Sequence, residues 1–92
     1  MYHQRLRSFQ GVSGLPLSAS KFAIAGFSYV GPRDRVKCEY CEGQLEEWSK
    51  GDDPLYEHQK HYPNCPFILP LSGVINLILQ ILVQAFLLMK QL

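Results

Sequence analysis

The sequence predicts a small α+β domain over residues 1–70, followed by an apolar amphipathic helix over residues 71–92. Apolar residues are unevenly distributed, because residues 71–92 hold 15 of them in 22 positions whereas residues 1–70 hold only 28. Helical and strand-like patterns both occur in the first part. A domain of about 70 residues with so few apolar side chains buries too little surface to offset its ordering entropy, so we expect a disulfide, a metal or a partner to stabilise it.

Two short helices are predicted before the first strand. Residues 2–9 place their apolar side chains at helical spacing. Residues 10–16 are rich in glycine, serine and proline, which predicts a loop. Ser18 can then cap a second helix, which we expect to end before Gly26.

A three-stranded region follows. Residues 27–30 are aromatic and β-branched, residues 31–34 have the composition of a turn, and residues 35–40 alternate between apolar and charged side chains. These features predict a β-hairpin, to which residues 45–48 can add a third strand. A third helix begins at Asp53-Pro54, an N-cap residue followed by a proline, and ends before Pro63.

The chain has three cysteines, Cys38, Cys41 and Cys65, which cannot all pair with one another. No basic segment followed by an apolar run and a cleavage site opens the sequence, so we expect a cytoplasmic location, with the nucleus as a second one. In these compartments clustered cysteines bind metal more often than they form disulfides.

The cysteines join a histidine of the third helix in the pattern C-x2-C-x16-H-x6-C. The histidine of this pattern is His58, and on spacing alone His61 is an alternative. Three thiolates and one imidazole suit the tetrahedral coordination of zinc. We therefore expect one structural zinc ion with four protein ligands and no enzymatic activity; three free cysteines and a surface histidine are the alternative.

Charges are segregated along the chain. Residues 1–37 carry six basic side chains and one acidic side chain, a net charge of +5, whereas residues 38–60 carry seven acidic and two basic ones, a net charge of −5. A zinc module that binds nucleic acid usually presents lysine and arginine from the elements that hold its metal. The acidic metal region therefore argues against nucleic acid and favours a cationic partner, unless these carboxylates are simply solvated.

Several short segments, in order along the chain, accompany the metal pattern: Ala25-Gly26-Phe27, Asp34-Arg35-Val36-Lys37-Cys38, Gly51-Asp52-Asp53-Pro54 and Tyr62-Pro63-Asn64-Cys65-Pro66-Phe67. Together with this pattern, the residues from about Arg5 to Phe67 resemble the baculoviral IAP repeat (BIR) domain of inhibitor-of-apoptosis proteins. The likeness implies the family fold, a three-stranded antiparallel sheet with short flanking helices around zinc, and it selects His58 over His61 as the ligand.

Peptide-binding members of this family hold the free N-terminus of an Ala-led motif, found on caspases or on their antagonists, as an extra strand of the sheet. The resemblance implies that the ammonium group of such a peptide meets acidic side chains, and that His61 stands where strong binders carry a second tryptophan. It assigns the sheet edge to Gln44, Leu45 and Glu46, the pocket wall to Trp48, and the ammonium partners to Asp52 and Glu57.

Each of these residues also has a plainer interpretation. Trp48 is equally suited to the core, Asp52 to the turn before the third helix, and Glu57 to a solvated helix face. Some members of the family lack a working groove and bind an adaptor or signalling protein through their helices. This groove-independent scaffold is the alternative function.

The tail lies beyond the resemblance. From Ser72 to Leu92 we expect a helix with an apolar sector of about 240°. Packing on the domain together with self-association is the first expectation, membrane attachment is the second, and a terminus without evolved function is the third. The polar sector is formed by Ser72, Asn76, Gln80, Gln84, Lys90 and Gln91, and Val74, Ile78, Ile81, Ala85, Leu88 and Leu92 follow a 4-3-4-3-4 spacing that suits a helical partner.

Overall fold

The structure is a computed structural model that describes the backbone of residues 1–90 and their side chains except those of residues 72–76. Its three strands form one antiparallel sheet in the order β1-β2-β3, flanked by helices, which confirms the predicted α+β class. Along this part of the chain the elements are α1 (Tyr2–Arg7), α2 (Ala19–Ile24), β1 (Phe27–Tyr29), β2 (Val36–Cys38), β3 (Gln44–Leu45), α3 (Pro54–His61) and α4 (Leu69–Lys90).

The helices begin close to where the sequence predicts. The Ser18 side chain accepts the N–H of Lys21, which caps α2. Gly26 follows α2 with a φ of +95°, and a Cβ at this position would lie 2.8 Å from the Phe67 ring. Glycine is therefore required here both by the left-handed backbone and by the close approach of the ring. In α3, the Asp53 carboxylate accepts a backbone N–H of the first turn, as predicted.

The central strand β2 carries the inner face of the sheet. Its residue Val36 pairs with Leu45 of β3, while Cys38 pairs with Phe27 of β1. The strand β3 is shorter than the predicted stretch 45–48, because Glu47 has a φ of +63° and so leaves extended geometry. The short strand forms the edge of the sheet.

Aromatic side chains fill the core. Phe22 and Phe27 are fully buried, and Trp48 is only 9% exposed. The Trp48 ring stands edge-on to Phe22 at a centroid distance of 5.0 Å and to Phe27 at 6.1 Å. The His58 ring stacks on Phe27 at 4.3 Å, so the core holds α3 and its histidine in place.

The tail helix α4 begins directly after Ile68, which is 1% exposed and is inserted in the core. From Leu77 to Lys90 every side chain is exposed. We expected this part of the tail to pack on the domain, and it does not. In the part of the chain that the structure describes, we find no helix that is long and apolar enough to cross a membrane. The predictions that concern the side chains of residues 72–76, and those for Gln91 and Leu92, lie outside the described residues.

Candidate metal centre and groove

Four side chains with metal-binding atoms converge from separate parts of the fold. Cys38 ends β2, Cys41 lies in the turn that follows, His58 is on α3, and Cys65 lies in the turn before α4. Their ligand atoms all lie within 4.8 Å of one another. The turn between the first two cysteines is closed by the N–H of Glu42, which donates to the carbonyl of Cys38 at 2.8 Å. A tight turn therefore brings both thiols to one point.

The distances match a tetrahedral zinc site. The sulfur atoms of Cys38 and Cys65 lie 3.7 Å apart, and Cys41 Sγ lies 3.6 Å from His58 Nε2. A tetrahedron with zinc–sulfur distances of about 2.3 Å and zinc–nitrogen distances of about 2.0–2.1 Å has edges of about 3.8 Å between sulfurs and about 3.5 Å between sulfur and nitrogen. These two of the six ligand–ligand distances therefore fit zinc, and all six lie within 4.8 Å.

A backbone contact orients the histidine. His58 Nδ1 lies 2.6 Å from the carbonyl of Ala25, to which it donates when Nε2 is the free ligand atom. Burial lowers the pKa of His58, although the bond to Ala25 opposes that effect, so the ring is suited to bind metal in its neutral form. His61 is exposed, and its Nε2 lies 3.3 Å from Glu57. The structure therefore brings His58 to the site and leaves His61 outside it.

The thiols need a cation to ionise. Burial raises the pKa of Cys38 to about 12 and also raises that of Cys41. Burial of Cys65 acts in the same direction, but the N–H groups of Phe67 and Ile68, together with the neighbouring thiols, outweigh it and lower the pKa of that thiol. A divalent metal would convert all three to thiolates. Because four protein ligands complete the tetrahedron, the site has no open position for a substrate and is structural.

A groove of about 230 Å³ lies beside the edge strand β3. Six of the seven residues predicted for peptide binding line it; Gln44 is the exception, and Glu47 is an addition that the sequence analysis did not identify. Four of the lining residues are acidic. The lining consists of Leu45, Glu46, Glu47, Trp48, Asp52, Glu57 and His61.

The acidic side chains of the groove have different partners. Glu46 forms an ion pair with Arg35, in which the guanidinium nitrogens lie 3.2–3.3 Å from both carboxylate oxygens. Glu57 faces His61 on the same helix. Asp52 accepts the backbone N–H of Ser49 at 2.8 Å. Asp52 therefore serves the turn, as its plainer interpretation held, and lines the groove as well.

Trp48 belongs to both the core and the groove wall, and Asp34 fixes the backbone around it. The Asp34 carboxylate accepts the N–H of Trp48 at 2.8 Å and that of Glu47 at 3.0 Å. Burial opposes ionisation of Asp34, but these N–H groups outweigh it and keep the pKa below the ordinary value of 3.8. The indole Nε1 is buried, and no residue with a described side chain bonds it.

The edge of the sheet is partly occupied by a side chain. The Tyr62 hydroxyl donates to the carbonyl of Gln44 at 3.0 Å and accepts its N–H at 3.2 Å. The Tyr62 ring also contacts the backbone at Gly43, where a Cβ would lie 2.6 Å from it. Both main-chain groups of Gln44 that an added strand would use are therefore bonded in this structure, which leaves Glu46 as the more open part of the edge.

Comparison with known proteins agrees with this geometry. The family model described as "BIR: Inhibitor of Apoptosis domain" matches residues 5–69, which include all four metal ligands. The chain is a BIR domain of the inhibitor-of-apoptosis family. BIR domains bind zinc, so the four converging side chains are its zinc ligands and the ion is structural.

This BIR domain is similar to parts of longer proteins. It is 52% identical over 65 residues to the dog protein named baculoviral IAP repeat-containing protein 3, covering 70% of this chain and 11% of that one. It is 49% identical over 59 residues to baculoviral IAP repeat-containing protein 7-B of Xenopus laevis, covering 64% and 17%. It is 48% identical over 65 residues to E3 ubiquitin-protein ligase XIAP of the same species, covering 70% and 13%. The chain thus spans less than a fifth of each relative.

As a BIR domain, the chain is a protein-interaction module whose metal supports the fold. Sequence reasoning identified the ligands but missed two residues of the groove region, Glu47 and Tyr62. Glu47 stands between two predicted groove residues, yet its left-handed backbone has no local signal. Tyr62 belongs to the family pattern, but its role at the sheet edge has no local signal, because its hydroxyl bonds Gln44, which lies 18 positions away in the chain.

Proposed function

We propose that this BIR domain binds the free N-terminus of an Ala-led peptide in the groove beside β3. The observation that carries the proposal is a small acidic groove at the edge strand of a sheet. The groove has a volume of about 230 Å³, with Leu45 and Trp48 as its apolar wall and four carboxylates around them. An added strand can form main-chain hydrogen bonds with such an edge, and carboxylates can hold a terminal ammonium group.

In this proposal five of the seven lining residues have a distinct task. Asp52 and Glu57 hold the ammonium group, Leu45 and Trp48 enclose the alanine methyl group, and the main chain of Glu46 pairs with the peptide. The partners would be caspases or their antagonists with an exposed alanine N-terminus, met in the cytoplasm or the nucleus. The name of the family, inhibitor of apoptosis, supports this class of partner.

The proposal is tested by titrating the zinc-loaded chain with an Ala-led peptide and with the same peptide acetylated at its N-terminus. We expect binding of the free peptide alone. Trp48 is the single tryptophan of the chain and lines the groove, so its emission can report the titration. Equal affinity for the two peptides would contradict the ammonium site.

A matched pair of variants sharpens this test. Glu57→Gln should weaken the free peptide about 10- to 150-fold, because it removes a charged hydrogen-bond partner. Glu39→Gln should have no effect, since Glu39 is an exposed acid near the N-terminal amine, outside the groove. His61→Trp should strengthen binding by on the order of 1–2 kcal/mol by supplying an aromatic surface.

One observation favours the second candidate, a scaffold that binds an adaptor or signalling protein through its helices. The Tyr62 hydroxyl already bonds both main-chain groups of Gln44, so part of the edge is closed to an added strand. Failure of the free peptide to bind, with zinc content and fold intact, would favour this candidate over the groove.

A further inference from the structure

The tail helix α4 presents an exposed apolar surface that the proposed function does not use. From Leu77 to Met89 its ten large apolar side chains are between 49% and 71% exposed. They point to all sides of the helix, and contiguous apolar surface of this extent is rare on a soluble monomer. Some other surface should therefore cover α4.

One side of α4 has a shape that fits another helix. A shallow hollow of about 530 Å³ lies on this side, and the small side chain of Ala85 is among the residues that line it. Ile81, Gln84, Ala85 and Leu88 stand at positions i, i+3, i+4 and i+7, the four-residue hole that receives a side chain of a facing helix. Ile81 and Leu88 on the same side also project as such side chains, so this face is complementary to itself.

We propose that α4 is a self-association surface, on which the α4 helix of a second copy of this chain packs. The seam is formed by Ile81, Ala85 and Leu88, which continue the 4-3 spacing of the tail. The proposal concerns a different surface from the groove and is independent of the proposed function.

The charge pattern favours a second copy over a charged partner or a lipid surface. No formal charge occurs between Lys60 and Lys90 other than a protonated His61, so α4 offers nothing to a charged partner and two copies do not repel each other. Helices that lie on membranes usually carry a strongly charged face rich in lysine and arginine, which α4 lacks. Gln80 and Gln84 border the hollow, and the amides of a second copy can hydrogen-bond them whereas acyl chains cannot.

One facing helix covers only one side of α4. On the side of the hollow the large apolar side chains are Leu77, Ile81 and Leu88. Each removes about 60–120 Å² from water when it is buried, so this side offers about 180–360 Å² per copy, less than the roughly 800 Å² per partner of a standard interface. We therefore expect weak, concentration-dependent association, in which an oligomer larger than a dimer covers more of the helix.

Sedimentation velocity of the zinc-loaded full chain over a hundredfold range of concentration tests the proposal. We expect a concentration-dependent dimer or larger oligomer. Ile81→Glu should raise the dissociation constant at least about a hundredfold, because it places unpaired charges in the seam. Val83→Glu is the matched control: Val83 is equally apolar and exposed but lies on the opposite side of α4, and we expect a change of less than about threefold.

Zinc content and circular dichroism of each variant show whether the domain remains folded. Flotation with vesicles of phosphatidylcholine, with and without phosphatidylserine, tests whether α4 binds a lipid bilayer instead of a second copy. We expect no flotation. A chain that stays monomeric at every concentration, an equal response to the two glutamates, or a monomer that floats with the vesicles would each overturn the proposal.

Discussion

Asp34 holds the backbone from which the groove wall is built, and its removal should destabilise the domain by roughly 2–3 kcal/mol. Its two carboxylate oxygens accept the consecutive N–H groups of Glu47 and Trp48 at 3.0 and 2.8 Å. These bonds keep Glu47 in its left-handed conformation and end β3 at Leu45. Alanine at position 34 would leave both donors without this acceptor.

The magnitude follows from the burial of the two donors. A hydrogen bond to a charged group contributes about 1.5–3 kcal/mol, and a donor left unsatisfied in the interior costs a similar amount. Glu47 is exposed, so water can replace the carboxylate there, whereas Trp48 is buried and its N–H is shielded. The expected loss of roughly 2–3 kcal/mol therefore combines the full contribution of the bond from Trp48 with a fraction of that from Glu47. For a domain of this size, the loss corresponds to a fall in Tm of about 10–20 °C.

Denaturation in excess zinc, followed through Trp48 emission, measures this loss. Asp34→Asn is the control, because it retains one oxygen acceptor and should recover about half of the difference. The stabilisation belongs to the ionised carboxylate, whose pKa lies below 3.8 in the fold. It is therefore fully present above the unfolded value of about 3.9 and is lost only as the pH falls through the folded pKa.

The difference between the native chain and Asp34→Ala should accordingly be constant from pH 8 to about pH 5, a range that avoids strong acid. An unchanged midpoint in Asp34→Ala would refute the reasoning about the two N–H groups. A difference that disappears already between pH 7 and pH 5 would show that the carboxylate is not held in its ionised form.

Three further predictions concern the metal, the sheet edge and a glycine. Removing zinc with a chelator should unfold the domain, because structural zinc contributes roughly 10–16 kcal/mol in zinc-finger peptides, against about 5–15 kcal/mol for a whole domain; a native circular dichroism spectrum without metal would contradict this. Tyr62→Phe should raise the affinity for the free Ala-led peptide about two- to tenfold, since it releases the main-chain groups of Gln44, and a titration showing equal or weaker binding would show that the hydroxyl does not compete. Gly26→Ala should cost about 1–3 kcal/mol, because its φ is +95° and the new Cβ would meet the Phe67 ring; thermal melting that matches the native chain would oppose this account.

The paired cysteines and the helix starts could be predicted because their signals are local. Two cysteines three residues apart form one turn, and the caps at Ser18 and Asp53 act on N–H groups within their own first turns. The choice of His58 over His61 needed the family resemblance, since both histidines lie on the same helix. The structure shows the physical basis of that choice: the ring of His58 stacks on Phe27 and bonds the carbonyl of Ala25, a contact over 33 positions.

Residue type and spacing along the chain were enough to predict the α+β class, the metal centre and an apolar tail helix. The end of β3, the double role of Trp48, the closure of the edge at Gln44 and the exposure of residues 77–90 depended instead on tertiary packing. Each of these depends on contacts between groups that are distant in the chain: Asp34 bonds the backbone at residues 47–48, Tyr62 bonds Gln44, and the domain leaves residues 77–90 uncovered. The residue spacing within one segment cannot predict these long-range contacts, because they depend on how separate elements pack against one another.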